Sequence, residues 1–381
     1  MSRRLRLGMV GGGRDAFIGA VHRIAARIDD RYELVAGCFS STAEKSKASA
    51  ADLGVAADRA YGSFEEMARA EAARDDGIDV VAIVTPNDVH YPAARAFLEA
   101  GIHVICDKPM TTAASDAEAL AELVDRSGRV FVLTHNYTGY PMVRQARAMV
   151  DAGELGRIRV VQAEYAQDWL ATPLEATGQK QAGWRTDPAR SGPAGATGDI
   201  ATHAYNLACF VTGLKLSSLC AELTTFVEGR RLDDNSQMML RFEGGARGAL
   251  WASQVAVGTE NRLTLRVYGE KGGLSWAQED PNYLHFTPLG EPPRLITRGG
   301  SGALPVAGRV TRVPAGHPEG YLEGFATIYS DAAELIHAAL ERRQPDAGAL
   351  LVPDVRAGVD GVRFIEAVVK SSSEGGVWVE P

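Results

Sequence analysis

The sequence predicts an α/β protein of two domains. The first is a doubly wound parallel sheet; the second is an α+β domain with an open, mostly antiparallel sheet. Three observations carry this. Short apolar runs alternate with helical patterns through the first third of the chain. A glycine run, Gly11-Gly12-Gly13, directly follows the first apolar run. Past about residue 137 the alternation stops, and strand patterns succeed one another without helices between them.

Residues 5–10 read as a strand, 18–28 as a helix and 34–39 as a strand. Ser63-Phe64-Glu65-Glu66 is a capping box that opens a helix. Residues 79–84 form a continuous β-branched run, the pattern of a strand buried on both faces. A helix follows over 89–100 and stops at Gly101, since glycine takes the left-handed conformation after a last turn cheaply. Residues 103–106 read as a strand. Ser115-Asp116-Ala117-Glu118 caps a helix that Gly128 ends, and 130–134 is the next strand. Beyond that, 157–167 alternates as a long strand. Residues 172–198 read as loop and 203–212 as helix. Strands follow over 219–227, 237–242, 248–257 and 263–268, with a turn at Glu270-Lys271-Gly272-Gly273. A Pro/Gly-rich excursion occupies 287–318, and helices close the chain over 321–342 and 355–371.

Composition narrows the function. The chain has 381 residues, 45% hydrophobic and 23% charged, with a net charge of −8. An acidic balance argues against general nucleic-acid binding, which needs basic surface. The apolar runs are strand-sized, too short to span a membrane. Cys38, Cys106, Cys209 and Cys220 form no C-x-x-C pair and no zinc spacing, so no metal is expected. Ser2-Arg3-Arg4 lacks the apolar stretch of an export signal, and a reducing cytoplasm is the expected location.

Five motifs can carry chemistry. Gly11 and Gly13 sit between a strand and a helix, where glycines let backbone approach a pyrophosphate lying on the helix N-terminus. The third glycine of this fingerprint is best matched by Gly19, with Ala16 as the alternative. The second strand ends without an acid, in Ser40 and Ser41, with Lys45 beyond. A carboxylate there would suit the ribose of NAD; hydroxyls and a lysine suit the extra phosphate of NADP. Thr85-Pro86-Asn87-Asp88-Val89-His90 lies at the carboxyl edge of the buried strand, where Pro86, Asn87 and His90 can border a cofactor. Cys106-Asp107-Lys108-Pro109 brings Lys108 to the end of the next strand, as an ammonium for a substrate oxygen. In Gly198-Asp199-Ile200-Ala201-Thr202-His203, Asp199 and His203 stand four apart on one helical face. The carboxylate can orient the imidazole, and the imidazole can take a hydroxyl proton.

Together these motifs resemble the Gfo/Idh/MocA oxidoreductase family. The resemblance runs from the glycine turn through Asp107-Lys108-Pro109 and Gly198–His203 to the closing helix around residues 360–367. It implies a Rossmann domain over 1–136 and a substrate-binding and oligomerisation domain over 137–381, with the closing helix packing back towards the first domain. It further implies NAD(P) as cofactor and a homodimer or homotetramer. The catalytic set falls on Lys108, Asp199 and His203, and Asp107 replaces the motif's usual Glu. Tyr137, Asp168, Trp184 and Arg185 look like the substrate contacts of members that oxidise pyranosides, such as levoglucosan and glucoside 3-dehydrogenases. In such a site aromatic faces stack on sugar C–H surfaces and polar groups bond hydroxyls.

The expected reaction is hydride transfer between a sugar or cyclitol carbinol and the nicotinamide. His203 is the base and Lys108 steadies the oxygen; Lys108 as base with His203 as relay is the variant. A reductase of open-chain carbonyl compounds and a non-catalytic dinucleotide sensor are the alternatives.

Overall fold

β1 (Leu5–Gly11) has Leu5, Leu7 and Met9 almost wholly buried, and it runs into the glycine turn. The computed structural model describes residues 3–14 and 16–381, so Ser2 of the arginine-flanked start and Asp15 of the glycine turn lie outside the described residues. After the turn come α1 (Phe17–Ile28), β2 (Tyr32–Cys38), α2 (Ala43–Asp52), α3 (Phe64–Ala72) and β3 (Val80–Val84). Then follow α4 (His90–Glu99), β4 (His103–Cys106), α5 (Ala114–Ser127) and β5 (Phe131–Leu133). The five strands form one parallel sheet in the order β2-β1-β3-β4-β5. β3 is buried along its whole length, as its unbroken apolar run, β-branched but for Ala82, requires.

Helix ends follow their local chemistry, with two differences from expectation. Ser63 Oγ accepts the Glu66 N–H at 3.2 Å, while the Glu66 carboxylate reaches the N–H of Gly62 instead of that of Ser63. α5 begins at Ala114, so Ser115 lies inside its first turn and does not cap it. Gly128 ends that helix at φ +64°.

The second sheet has eight strands. α6 (Pro141–Asp151) leads to β6 (Ile158–Ala166). The expected loop over 172–198 contains two short helices, α7 (Lys180–Arg185) and α8 (Pro188–Ser191), capped by Gln179 and Asp187. α9 (Thr202–Thr212) follows, then β7 (Leu216–Thr224), β8 (Asn235–Phe242), β9 (Arg247–Ser253) and β10 (Arg262–Gly269). The glycines expected to form a turn instead open β11 (Gly272–Ala277), and β12 (Tyr283–Pro288) and β13 (Arg294–Thr297) extend the sheet. Its order is β13-β12-β11-β10-β6-β9-β8-β7, antiparallel except for the β6/β9 pair. The Pro/Gly-rich excursion holds β13 and α10 (Pro305–Gly308).

α6 and α9 supply buried residues to the core on one face of this sheet. Its other face carries half-open and exposed side chains, among them Gln162, Met239, Ala249 and Tyr268. The chain ends in α11 (Tyr321–Glu341) and α12 (Val355–Ser373).

Two units result. One comprises Met1–Asn136 with Leu322–Val359, the other Tyr137–Tyr321 with Asp360–Pro381. Within the first, α11 joins α1 and β2: Tyr32 donates its hydroxyl to the Tyr329 carbonyl at 2.7 Å, and His22 Nδ1 lies 2.8 Å from the Tyr329 hydroxyl. Among the described residues no helix is long and apolar enough to cross a membrane.

Candidate active site

In the first unit the motif residues gather at the carboxyl ends of β1, β3 and β4. Gly11 has φ +83°, and a Cβ on it would stand 2.6 Å from the Val84 carbonyl oxygen. A Cβ on Gly19 would lie 2.3 Å from Gly12 Cα, so Gly19 is the third glycine, the one that lets α1 pack on the turn. Gly13 donates to the Phe39 carbonyl at 3.1 Å, tying the turn to the end of β2. α1 has Ala16 as its N-cap residue, with no side-chain cap and no acid in its first turn, so its N–H groups and positive dipole end suit a phosphate. These residues fit a dinucleotide.

Ser40 lies half-buried past β2, while Ser41 and Lys45 are exposed. Ser40 does not cap α2, whose N-cap is Thr42.

Pro86 and Asn87 follow β3, with Asn87 buried. His90 departs from expectation. It is fully buried, with Nδ1 2.7 Å from the Pro109 carbonyl and Nε2 3.0 Å from that of Thr85. Both ring nitrogens are engaged by backbone, so His90 links the two motif loops and offers no edge to a cofactor. Lys108 is half-buried. The neighbouring Asp107 carboxylate accepts the Lys108 N–H at 2.8 Å and the Thr134 hydroxyl at 2.9 Å, which holds the lysine's backbone in place. His135 is buried close by; burial first, then the Lys108 charge, pushes its pKa down to about 3.

In the second unit, Asp199 stands in a π-helical turn, Thr197–Ala201, that leads into α9. Such turns are frequent at functional sites. Its Oδ2 accepts from Gln254 Nε2 at 2.8 Å and from Arg185 Nε at 3.2 Å. The Arg185 guanidinium sits 4.2 Å from the Trp184 ring centre. Arg185 and Trp184 thus reach the site as a stacked pair anchored on the candidate carboxylate. Gln254 follows β9 directly; a single polar residue past an apolar strand gave no sequence signal.

His203 lies in the first turn of α9 and is 8% exposed. The Tyr137 ring stands edge-on to it at 4.9 Å. The Tyr137 hydroxyl lies 2.5 Å from that of Tyr165, which donates to Asn261 Oδ1 at 2.9 Å. Burial pushes the Tyr137 hydroxyl up to about 12, so it stays protonated at neutral pH. Asp168 accepts the Gly258 N–H at 3.1 Å and so fastens the loop after β9. Tyr165, Gln254 and Asn261 escaped sequence reading because their meaning lies in distant partners.

One further acid shapes the turn. Asp233 is buried and accepts from Gly195 N at 2.6 Å, Thr197 N at 2.8 Å and Thr197 Oγ1 at 2.7 Å. Asp233→Ala strands three buried donors, and we expect a loss of about 3 kcal/mol or more in urea unfolding. An unchanged midpoint would show that the turn holds itself.

The described residues contain no cluster of metal-ligating side chains. The profile of the oxidoreductase family with an NAD-binding Rossmann fold matches residues 5–137, and that of the GFO/IDH/MocA C-terminal domain matches residues 143–275. The chain belongs to the Gfo/Idh/MocA oxidoreductase family. An oxidoreductase from Sinorhizobium meliloti shares 55% identity and superimposes with a TM-score of 0.91 over 100% of both chains. The inositol dehydrogenase homolog from Azotobacter vinelandii, complexed with NAD+, gives 38% identity and a TM-score of 0.95 over 100% of this chain and 98% of that one. Its complex with NADH and myo-inositol gives 37% and 0.92 over the same shares. Levoglucosan dehydrogenase from Pseudarthrobacter phenanthrenivorans is 29% identical over 73% of this chain and 74% of its own length. This Gfo/Idh/MocA protein is therefore an oxidoreductase with an NAD-binding Rossmann domain.

Proposed function

We propose that the protein reversibly oxidises a ring hydroxyl of a sugar, glycoside or cyclitol. The observation that carries this reading is the Asp199 carboxylate, held by Arg185 and Gln254 in the π turn that delivers His203. It is supported by the naming of relatives for inositol and levoglucosan. NAD(P) supplies the hydride acceptor, and the glycine turn, Pro86 and Asn87 hold it. His203 takes the proton of the substrate hydroxyl, and Asp199 stabilises the imidazolium that forms. The Lys108 ammonium steadies negative charge on the same oxygen. Tyr137, Trp184, Arg185 and Asp168 shape the polyol site, with Arg185 and Asp168 also positioning its walls.

Ser40, Ser41 and Lys45, with no acid at the end of β2, favour NADP. The exposed sheet face around Gln162, Met239 and Ala249 suits pairing of copies into a homodimer or homotetramer. The described cysteines are unpaired, in keeping with a cytoplasmic protein.

Initial rates with NAD+ and NADP+ across inositols, free sugars and glycosides test this. Turnover of at least one polyol is expected, with kcat/KM higher for NADP+. Dinucleotide binding without turnover of any polyol would leave a sensor instead.

A further inference from the structure

The second unit contains a cleft of about 940 Å³. Residues 258–262, 278–282 and 318–321 and Tyr140 line it, whereas Asp199, His203 and Arg185 do not. The volume lies near the top of the roughly 300–1,000 Å³ range of small-molecule sites. With the candidate chemistry outside its walls, the cleft is room for a part of the ligand that does not react.

Two connections tie it to His203. Tyr140 stacks on Tyr137 at 5.9 Å, and Tyr137 meets the His203 ring at 4.9 Å. Asn261, on the cleft wall, uses its Oδ1 for the Tyr165 hydroxyl at 2.9 Å and for Gln167 Nε2 at 2.6 Å. These two bonds fix the amide on the cleft wall. On the same walls, Gln278 Oε1 and Glu319 Oε2 are shut from water and have no hydrogen-bond donor. Glu319 is 4% exposed, and its other oxygen takes Arg298 Nη1 at 2.9 Å. Stranded acceptors of this kind call for hydroxyl donors. Glu260, Glu279, Asp280 and Glu319 stand against Arg262 among the lining charges, so phosphorylated or acidic sugars are repelled.

We propose that this cleft is a saccharide subsite, which takes a second, neutral sugar ring joined by a glycosidic bond to the ring that is oxidised. The inference rests on the sugar-dehydrogenase reading. One carbinol becomes a carbonyl, with its hydride to the dinucleotide and its proton to the enzyme, and the glycosidic bond is left intact.

The test compares glucose with maltose, cellobiose and trehalose, in kcat/KM and by calorimetric binding to the full chain. At least one disaccharide should exceed glucose by about tenfold or more in kcat/KM, the scale of one or two added hydrogen bonds. Gln278→Leu and Asp280→Ala should bring that ratio towards one, with thermal melts confirming that they fold. Glucose equal to or better than every disaccharide, with the ratio unmoved in both variants, overturns the subsite and leaves the sugar-dehydrogenase reading standing. If no sugar turns over, that reading fails, and calorimetry decides the cleft: disaccharide binding weakened in the variants upholds it, and absent binding overturns it.

Discussion

Alanine at His203 is expected to lower kcat by about 10²–10⁴-fold, the usual contribution of a positioned general base. The side chain is nearly buried, and its ring is fixed by Tyr137 edge-on at 4.9 Å and by Tyr165 at 6.3 Å. Such packing leaves the imidazole little freedom, which favours proton transfer in one geometry. NADH binding, read by fluorescence titration, should stay within about threefold of wild type, because the dinucleotide cradle belongs to the first unit. Loss of kcat with cofactor binding retained assigns the proton step to His203. A rate within threefold of wild type would remove His203 from that step and transfer the base role to Lys108. Lys108→Met measured alongside separates the two: a base and an electrostatic partner both lower kcat, but only loss of the base is rescued by added imidazole.

How much of this was legible varies with the kind of signal. Strands β3 and β5 are buried along their whole length, so each reads as a continuous apolar run, and β1 and β4 are apolar but for Arg6 and His103. α2 was invisible because Ala43–Asp52 has no apolar stripe; its buried residues are Ser46, Ser49 and Ala50. β11 was misread because Gly272 and Gly273 look like a turn. A Cβ on Gly272 would meet the Thr287 carbonyl oxygen at 2.9 Å, so that glycine serves strand approach. The excursion over 287–318 looked unstructured because one of its own side chains organises it through partners 15 to 21 residues further along. Arg298 is buried and donates to the Val313 carbonyl at 2.7 Å, to that of Pro314 at 3.1 Å and to Glu319 at 2.9 Å. Nothing local in a Pro/Gly-rich stretch announces such a clamp.

The site divides the same way. Lys108, Asp199 and His203 stand in short motifs whose spacing is itself the signal. Gln254 and Asn261 are single polar residues at strand ends, defined only by partners brought near in folding. The motif around His90 was legible, but its role was not, since one of the two carbonyls that engage the ring, that of Pro109, comes from another segment.

Acid should destabilise the protein well before its carboxylates titrate, and the first unit should fail by this route. His22, His103 and His135 are all 2% exposed or less. Burial lowers His22 and His103 to about 4 and, with the Lys108 charge, His135 to about 3. The geometry agrees for His103, whose Nδ1 accepts the Val130 N–H at 2.9 Å and loses that bond on protonation. Burial also lowers His90, but its two carbonyl neighbours favour a protonated ring, so it does not enter the count. In the unfolded chain each histidine titrates near 6.5. The folded values lie below that, so the neutral rings contribute their full stability above about pH 6.5. The contribution is lost as pH falls from there towards the folded values, because the unfolded chain binds protons that the native one refuses. Each ring then costs about 1.4 kcal/mol per pH unit. Three of them remove several kcal/mol by pH 5, a large share of the roughly 5–15 kcal/mol that stabilises a typical domain. Urea midpoints measured from pH 7.5 to 5.0 should fall steeply, and the unfolding free energy with a slope of about three protons or more, since burial lowers His337 of the same unit as well. His103→Gln should reduce that slope by about one proton, since the amide keeps an acceptor for Val130 and has no proton to gain. A midpoint that holds constant down to pH 5 would mean that the unfolded chain has no proton advantage, and that these rings meet compensating acceptors in the native state.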